Sequence, residues 1–210
     1  MPAWVPTIAA AACLVLLFHT LIVVLNLRGA AGGGGTALKF ITFGLAAYVL
    51  GGLLDSITSL RGVALVTQFT HFSTAQQQLA LYGGVSMILL GGIYFAVPRL
   101  TGRAWASAAF VGGHRIALVL GVLLLVVSLA VAGWIQGHDL NNKDVSFAAT
   151  AAHTRPWLLA ATAAQVILLA GNLLLLVNLC RTLYACCCGK ESAPAENPFR
   201  PAAAMEAPVS

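Results

Sequence analysis

Five apolar runs, each long enough to cross a bilayer, constrain this 210-residue chain more than any other feature. They extend roughly from Trp4 to Leu27, Leu38 to Leu60, Ala75 to Val97, His114 to Ile135 and Trp157 to Ala185. An α-helix needs about 20 predominantly apolar residues to span the hydrocarbon core. Short polar stretches with Pro, Gly or Arg separate the runs, and none of them shows the two-residue alternation of a β-barrel strand. The expected fold class is all-α, a polytopic transmembrane helical bundle of five spans over residues 1–190. The Pro/Ala-rich stretch 191–210 is expected to be a disordered tail. Composition agrees, with 60% hydrophobic and 8% charged residues. Soluble domains carry about a quarter charged residues, so a soluble globular protein is excluded.

An odd number of spans puts the termini on opposite sides, and the basic residues choose between the sides. Arg28, Lys39, Arg99, Arg103, Arg115, Arg181, Lys190 and Arg200 fall in one set of flanking segments, and only Arg61, Lys143 and Arg155 in the other. The positive-inside rule places the larger set in the cytoplasm, with the N-terminus outside, the C-terminus cytoplasmic and the protein in a bacterial inner membrane. The formal charge of +5 then reflects topology, and no nucleic-acid partner is expected. The start, Met1-Pro2-Ala3-Trp4, lacks a basic region, so the first run is read as a retained span rather than a cleaved signal peptide. Two polar outer loops are expected, near Arg61 to Thr74 and near Gln136 to Pro156, and a flexible turn at Gly32 to Gly35.

Small residues recur at near-helical spacing on the second run (Gly44, Ala47, Gly51, Gly52) and the third (Gly83, Gly84, Gly91, Gly92), which predicts close helix packing, either within the chain or against a partner subunit. The stretch Leu118 to Val131 is so uniformly apolar that it is expected to face lipid. Of the ionisable residues in the runs only Asp55 and His19 qualify as functional candidates, each near an expected helix end, and Asp55 is expected to pair with Arg61. His71, His114, His138 and His153 show no ligand spacing and are expected at membrane surfaces. The five cysteines suggest no disulfide framework, and Cys186-Cys187-Cys188 reads as a juxtamembrane tract without a metal signature.

The densest polar cluster opens the third run: Gln68-Phe69-Thr70-His71-Phe72-Ser73-Thr74-Ala75-Gln76-Gln77-Gln78. Three glutamines entering an apolar span are costly unless they find hydrogen-bond partners. Residues two apart on a helix point about 200° apart, so Gln76 and Gln78 address opposite flanks. A neutral amide is not a normal axial haem ligand, and chemistry alone favours an interhelical hydrogen-bond cluster.

Thr67 to Gly83, followed by Gly92-Ile93-Tyr94-Phe95-Ala96-Val97-Pro98-Arg99-Leu100, resembles the tenth helix of haem-copper oxidase subunit I, closest to the cbb3-type cytochrome c oxidases. Gly133-Trp134-Ile135-Gln136-Gly137 with Asn141 and Phe147 resembles the outer end of the family's eleventh helix, and Gly171-Asn172 with Asn178 its twelfth. The resemblance implies that residues 1–190 correspond to the last five of twelve helices. It places the family's haem-ligand His-x-His pair at Gln76 and Gln78, with His71 and Gln77 as neighbours and no confident cofactor-binding residue. No catalytic or metal-binding residue is expected in this chain by itself, and haem b only together with partner subunits.

Three functions stay open. The first is a subunit or paralogue derived from cytochrome c oxidase subunit I, structural within the respiratory electron transport chain and partnered by other membrane subunits. The second is one half of a split catalytic subunit that contributes to a haem or quinone site. The third is a membrane assembly or sensor protein that keeps only the scaffold.

Overall fold

The computed structural model describes residues 4–27 and 35–188; the expected tail over 191–210 and most of the glycine turn lie outside the described residues. The elements are α1 (Trp4–Leu27), α2 (Thr36–Thr58), the short α3 (Arg61–Thr67), α4 (His71–Gln78), a π-helical segment (Leu79–Ser86), α5 (Met87–Thr101), α6 (Ala108–Asn141) and α7 (Phe147–Cys187). α4, the π segment and α5 form one unbroken rod of 31 residues, and no strand occurs among the described residues. Among the described residues four rods are long and apolar enough to cross a membrane: Thr36–Thr58, His71–Thr101, Ala108–Asn141 and Phe147–Cys187. The chain is a multi-pass, all-helical membrane protein.

Several helices outrun their apolar cores because capping side chains lie beyond them. The hydroxyl of Thr70 accepts from Phe72 N at the start of α4, Ser107 from Phe110 N before α6, and Ser146 from Ala149 N before α7. Each satisfies an otherwise orphaned N–H of a first turn. With 34 and 41 residues, α6 and α7 are about 51 and 61 Å long, well over the ~30 Å core. The loop expected from Gln136 to Pro156 is therefore mostly helix, and Pro156 sits inside α7.

Pro98 does not stop its helix either. A proline at this position leaves the Tyr94 carbonyl without its intrahelical donor. The indole Nε1 of Trp105 reaches that carbonyl at 3.5 Å, and α5 runs on to Thr101. It ends at Gly102, whose φ of 65° is the left-handed conformation favoured at a helix C-terminus.

The expectation that Leu118 to Val131 faces lipid fails for one face of the helix. α6 is the central helix, burying Leu118, Gly121, Val122, Leu125, Ser128, Leu129 and Ala132, while Leu120, Leu123, Leu124 and Val127 face outward. A helix apolar all round is what the middle of a bundle requires. Its glycines admit the neighbours: a Cβ on Gly121 would meet Leu168 Cδ2 of α7 at 2.7 Å.

The small-residue stripes on α2 and on the α4–α5 rod do pack together. A Cβ on Gly44 would lie 3.0 Å from Gly84 O and 2.7 Å from Ile88 Cγ1, and one on Gly91 would lie 2.9 Å from Ala37 O. Gly52 instead meets Leu17 of α1, and Gly92 faces open space.

Candidate functional site

The polar segment before the glutamines is held by the far end of α6. A Cβ on Gly133 would fall directly onto Phe72 N and 2.6 Å from His71 C, and one on Gly137 would fall onto Val66 O. Only glycine lets these backbones touch. Between the two, Gln136 Oε1 accepts from His71 N at 3.0 Å, and one turn further Asn141 Nδ2 donates to Leu65 O at 3.0 Å. The stripe Gly133, Gln136, Gly137, Asn141 is thus a cradle for the α3–α4 corner. That corner contains Phe69, almost fully exposed and at a φ of 61°, a conformation costly for a bulky side chain.

The three glutamines have different surroundings. Gln76 Nε2 donates to Asp55 Oδ1 at 2.8 Å and to Thr58 Oγ1 at 2.9 Å, tying α4 to the end of α2. Gln77 is exposed. Gln78 is half-buried, and its Oε1 is enclosed without a hydrogen-bond partner. The π-helical segment begins at the next residue, Leu79. A widened turn of this kind shifts the facing of every later side chain. His71 contributes its backbone N–H to the cradle, and its half-buried ring lines a cleft between α4, α6 and α7.

Two expectations need correction here. Asp55 meets Gln76 rather than Arg61, because α2 ends at Thr58 beside the start of α4. His114 is not an exposed interfacial side chain: it is fully buried between helices, its Nδ1 2.7 Å from the Tyr94 hydroxyl. Phe40 stacks on Tyr94 at 4.9 Å between centroids, and Trp105 closes the other side at 4.8 Å. The missed signal is Ser107, a cap that starts α6 almost two turns before His114. His138 and His153 are exposed, and His153 Nδ1 pairs with Asp139 Oδ2 at 2.8 Å. His19 is exposed on α1 about two turns from its end, further inside than expected.

At the opposite end from the cradle, Asn178 on α7 is fully buried and clamps the turn before α6. Its Oδ1 accepts from Ser107 N at 3.0 Å and its Nδ2 donates to Ser107 O at 3.1 Å. Thr182, one turn on, accepts from Ala106 N at 3.1 Å. Cys180, Cys186, Cys187 and Cys188 are exposed and unbridged. Among the described residues, no group of three or more His, Cys, Asp or Glu is placed to hold a metal ion.

Many of the residues that carry the sequence resemblance therefore help to assemble the bundle: the cradle on α6, the corner it holds, and Asn178 on α7. Comparison with known proteins agrees. The chain is 24% identical over 155 residues to the Cbb3-type cytochrome c oxidase subunit CcoN1 of Stutzerimonas stutzeri, covering 70% of this chain and 33% of that protein. It thus spans about a third of the length of this curated relative. The Gly171-Asn172 and Asn178 similarities fall beyond the residues matched by the family model. That model, described as Cytochrome C and Quinol oxidase polypeptide I, matches residues 1–167, most of the bundle, and the chain belongs to this family.

Proposed function

We propose that this chain is a structural, non-catalytic membrane subunit or paralogue derived from cytochrome c oxidase subunit I, embedded in a bacterial inner membrane and packed against other respiratory subunits. In this reading α1 supplies a fifth span, the N-terminus faces out and the C-terminus faces the cytoplasm. Gln76 and Gln78 stand at the positions where the family carries its haem-ligand histidines. The observation that carries the reading is the use made of Gln76: its amide is spent on Asp55 and Thr58 of α2. Gln78 Oε1 is enclosed within the bundle. An amide is a poor axial ligand for haem iron, which is held by His, Met, Cys or Tyr. These two side chains do not fit a haem, and no step of electron transfer is routed through them.

The test is affinity capture of the tagged chain from native membranes, followed by subunit identification and a haem-stained gel. Co-purification with respiratory subunits, and no haem assigned to this chain, is the expected result. Recovery without any respiratory subunit contradicts it and favours the assembly or sensor function. A second reading, one half of a split catalytic subunit, draws support from the enclosed and unpartnered Gln78 Oε1 beside the π segment. It predicts a partner chain that carries the remaining helices and ligand histidines, and haem in the captured complex that responds to substitution of Gln78.

A further inference from the structure

A cleft of about 360 Å³ opens where α4 begins, α6 ends and α7 begins, and its lining sorts by chemistry along its length. α7 contributes Phe147, Thr150, Ala151, Thr154, Arg155, Leu158, Leu159 and Thr162, a stripe at three- and four-residue spacing that lies on one helix face for about 22 Å. His71 and Gln136 form the facing wall.

The head-side residues lie where the apolar run of each helix gives way to polar sequence. On α7 the change comes at Arg155, next to the half-exposed Trp157, and on α6 at Gln136, next to the exposed Trp134. Tryptophans at such positions mark the membrane–water interface. Beyond Arg155 the lining becomes Leu158, Leu159 and Thr162, whose hydroxyl is turned back onto Leu158 O.

At the interfacial level the cleft offers donors and one fixed cation. Gln136 Oε1 is already engaged by His71 N, which leaves its Nε2 to donate. The Thr150 and Thr154 hydroxyls donate to Ser146 O and Thr150 O, so they are satisfied within α7 and leave the donating to Gln136 and Arg155. Arg155 forms no hydrogen bond or ion pair with the described residues, and Asp139, an acid on the neighbouring helix end, is taken by His153 at 2.8 Å. Among the described residues no carboxylate lines the cleft. A guanidinium without a counter-ion favours a phosphate, with which it makes charge-assisted bonds in bidentate geometry. The lack of a carboxylate disfavours a zwitterionic headgroup, whose ammonium would find no partner.

We propose that this cleft binds an anionic phospholipid. Its phosphodiester is received by Arg155, with Gln136 Nε2 and the His71 ring beside it, and one acyl chain lies along Leu158, Leu159 and Thr162. The site is independent of the haem question, since none of its residues is Gln76, Gln77 or Gln78.

The test uses the full chain with whatever subunits accompany it from native membranes, transferred to nanodiscs of equal phosphatidylglycerol and phosphatidylethanolamine and examined by native mass spectrometry during stepwise delipidation. Wild type is expected to retain phosphatidylglycerol in preference to phosphatidylethanolamine. Arg155→Gln should lower that retention about tenfold, the loss of one charge-assisted contact. Ala151→Leu, which fills the cleft and keeps the charge, should lower it as well, whereas Arg115→Gln at the opposite end should leave it unchanged. Equal retention of the two lipids, unchanged retention in both Arg155→Gln and Ala151→Leu, or a co-purified quinone lost with Arg155→Gln would each overturn the proposal.

Discussion

Gly133→Ala adds one methyl group to α6, and its consequence can be worked from the backbone it strikes. The new Cβ would fall onto Phe72 N and lie 2.6 Å from both His71 C and Phe72 Cα. Ordinary contact between carbons is about 3.5 to 4 Å, and these are backbone atoms that cannot rotate aside, so α6 and α4 must part by about 1 Å. Overpacking of this kind costs about 1 to 3 kcal/mol. The same displacement stretches His71 N–H to Gln136 Oε1 from 3.0 Å to the edge of a useful hydrogen bond, leaving a part-buried donor unsatisfied for about 1 to 3 kcal/mol more. Alanine returns up to about 1 kcal/mol through helix propensity. The net expectation is a loss of about 3 kcal/mol, measured by SDS-titrated unfolding in mixed micelles with far-UV circular dichroism. Gly92→Ala is the matched control: nothing lies within 4 Å of its Cβ, and the same substitution should be neutral or stabilising by up to about 1 kcal/mol. If Gly133→Ala unfolds within about 0.5 kcal/mol of wild type, the tight cradle does not exist.

Other substitutions probe the remaining contacts by the same unfolding assay. Asn178→Leu leaves Ser107 N unmatched inside the bundle, while Ser107 O keeps its bond from Val111 N at 3.3 Å, and a loss of about 1 to 2 kcal/mol is expected. Tyr94→Phe removes the partner of the buried His114 Nδ1 and should cost about 1 to 2 kcal/mol, with Tyr48→Phe on the exposed face of α2 as a neutral comparison. Phe69→Gly should stabilise by up to about 1 kcal/mol, because it relieves a positive φ and the ring it removes is 96% exposed. A loss of stability there would instead mean that the ring is buried against another molecule in the sample.

The sequence made the class of the molecule legible because bilayer thickness fixes a length that apolar runs must meet, and the small-residue seam was legible because Gly44 and Gly91 leave little other use for their spacing. Facing was harder to read. The uniform apolarity of Leu118 to Val131 carries no moment, and lipid and bundle core are equally apolar, so the sequence pattern cannot tell the central α6 from a peripheral helix. Polar partners were obscured for a different reason. Asp55 has Arg61 six residues away in sequence, yet the chain turns through α3 and brings Gln76 to it instead. His114 looked interfacial because the apolar run begins there, and the capping Ser107 that extends α6 past it speaks through a hydroxyl rather than through hydropathy.

The central claim, that Gln76 and Gln78 serve packing rather than haem, is tested most directly by the visible absorption spectrum of the complex captured from native membranes, with Gln76→Leu and Gln78→Leu against wild type. The same haem content per complex and unmoved Soret and α bands are expected in both variants, while the Gln76→Leu bundle loses stability. A shifted or diminished band in either variant would contradict it.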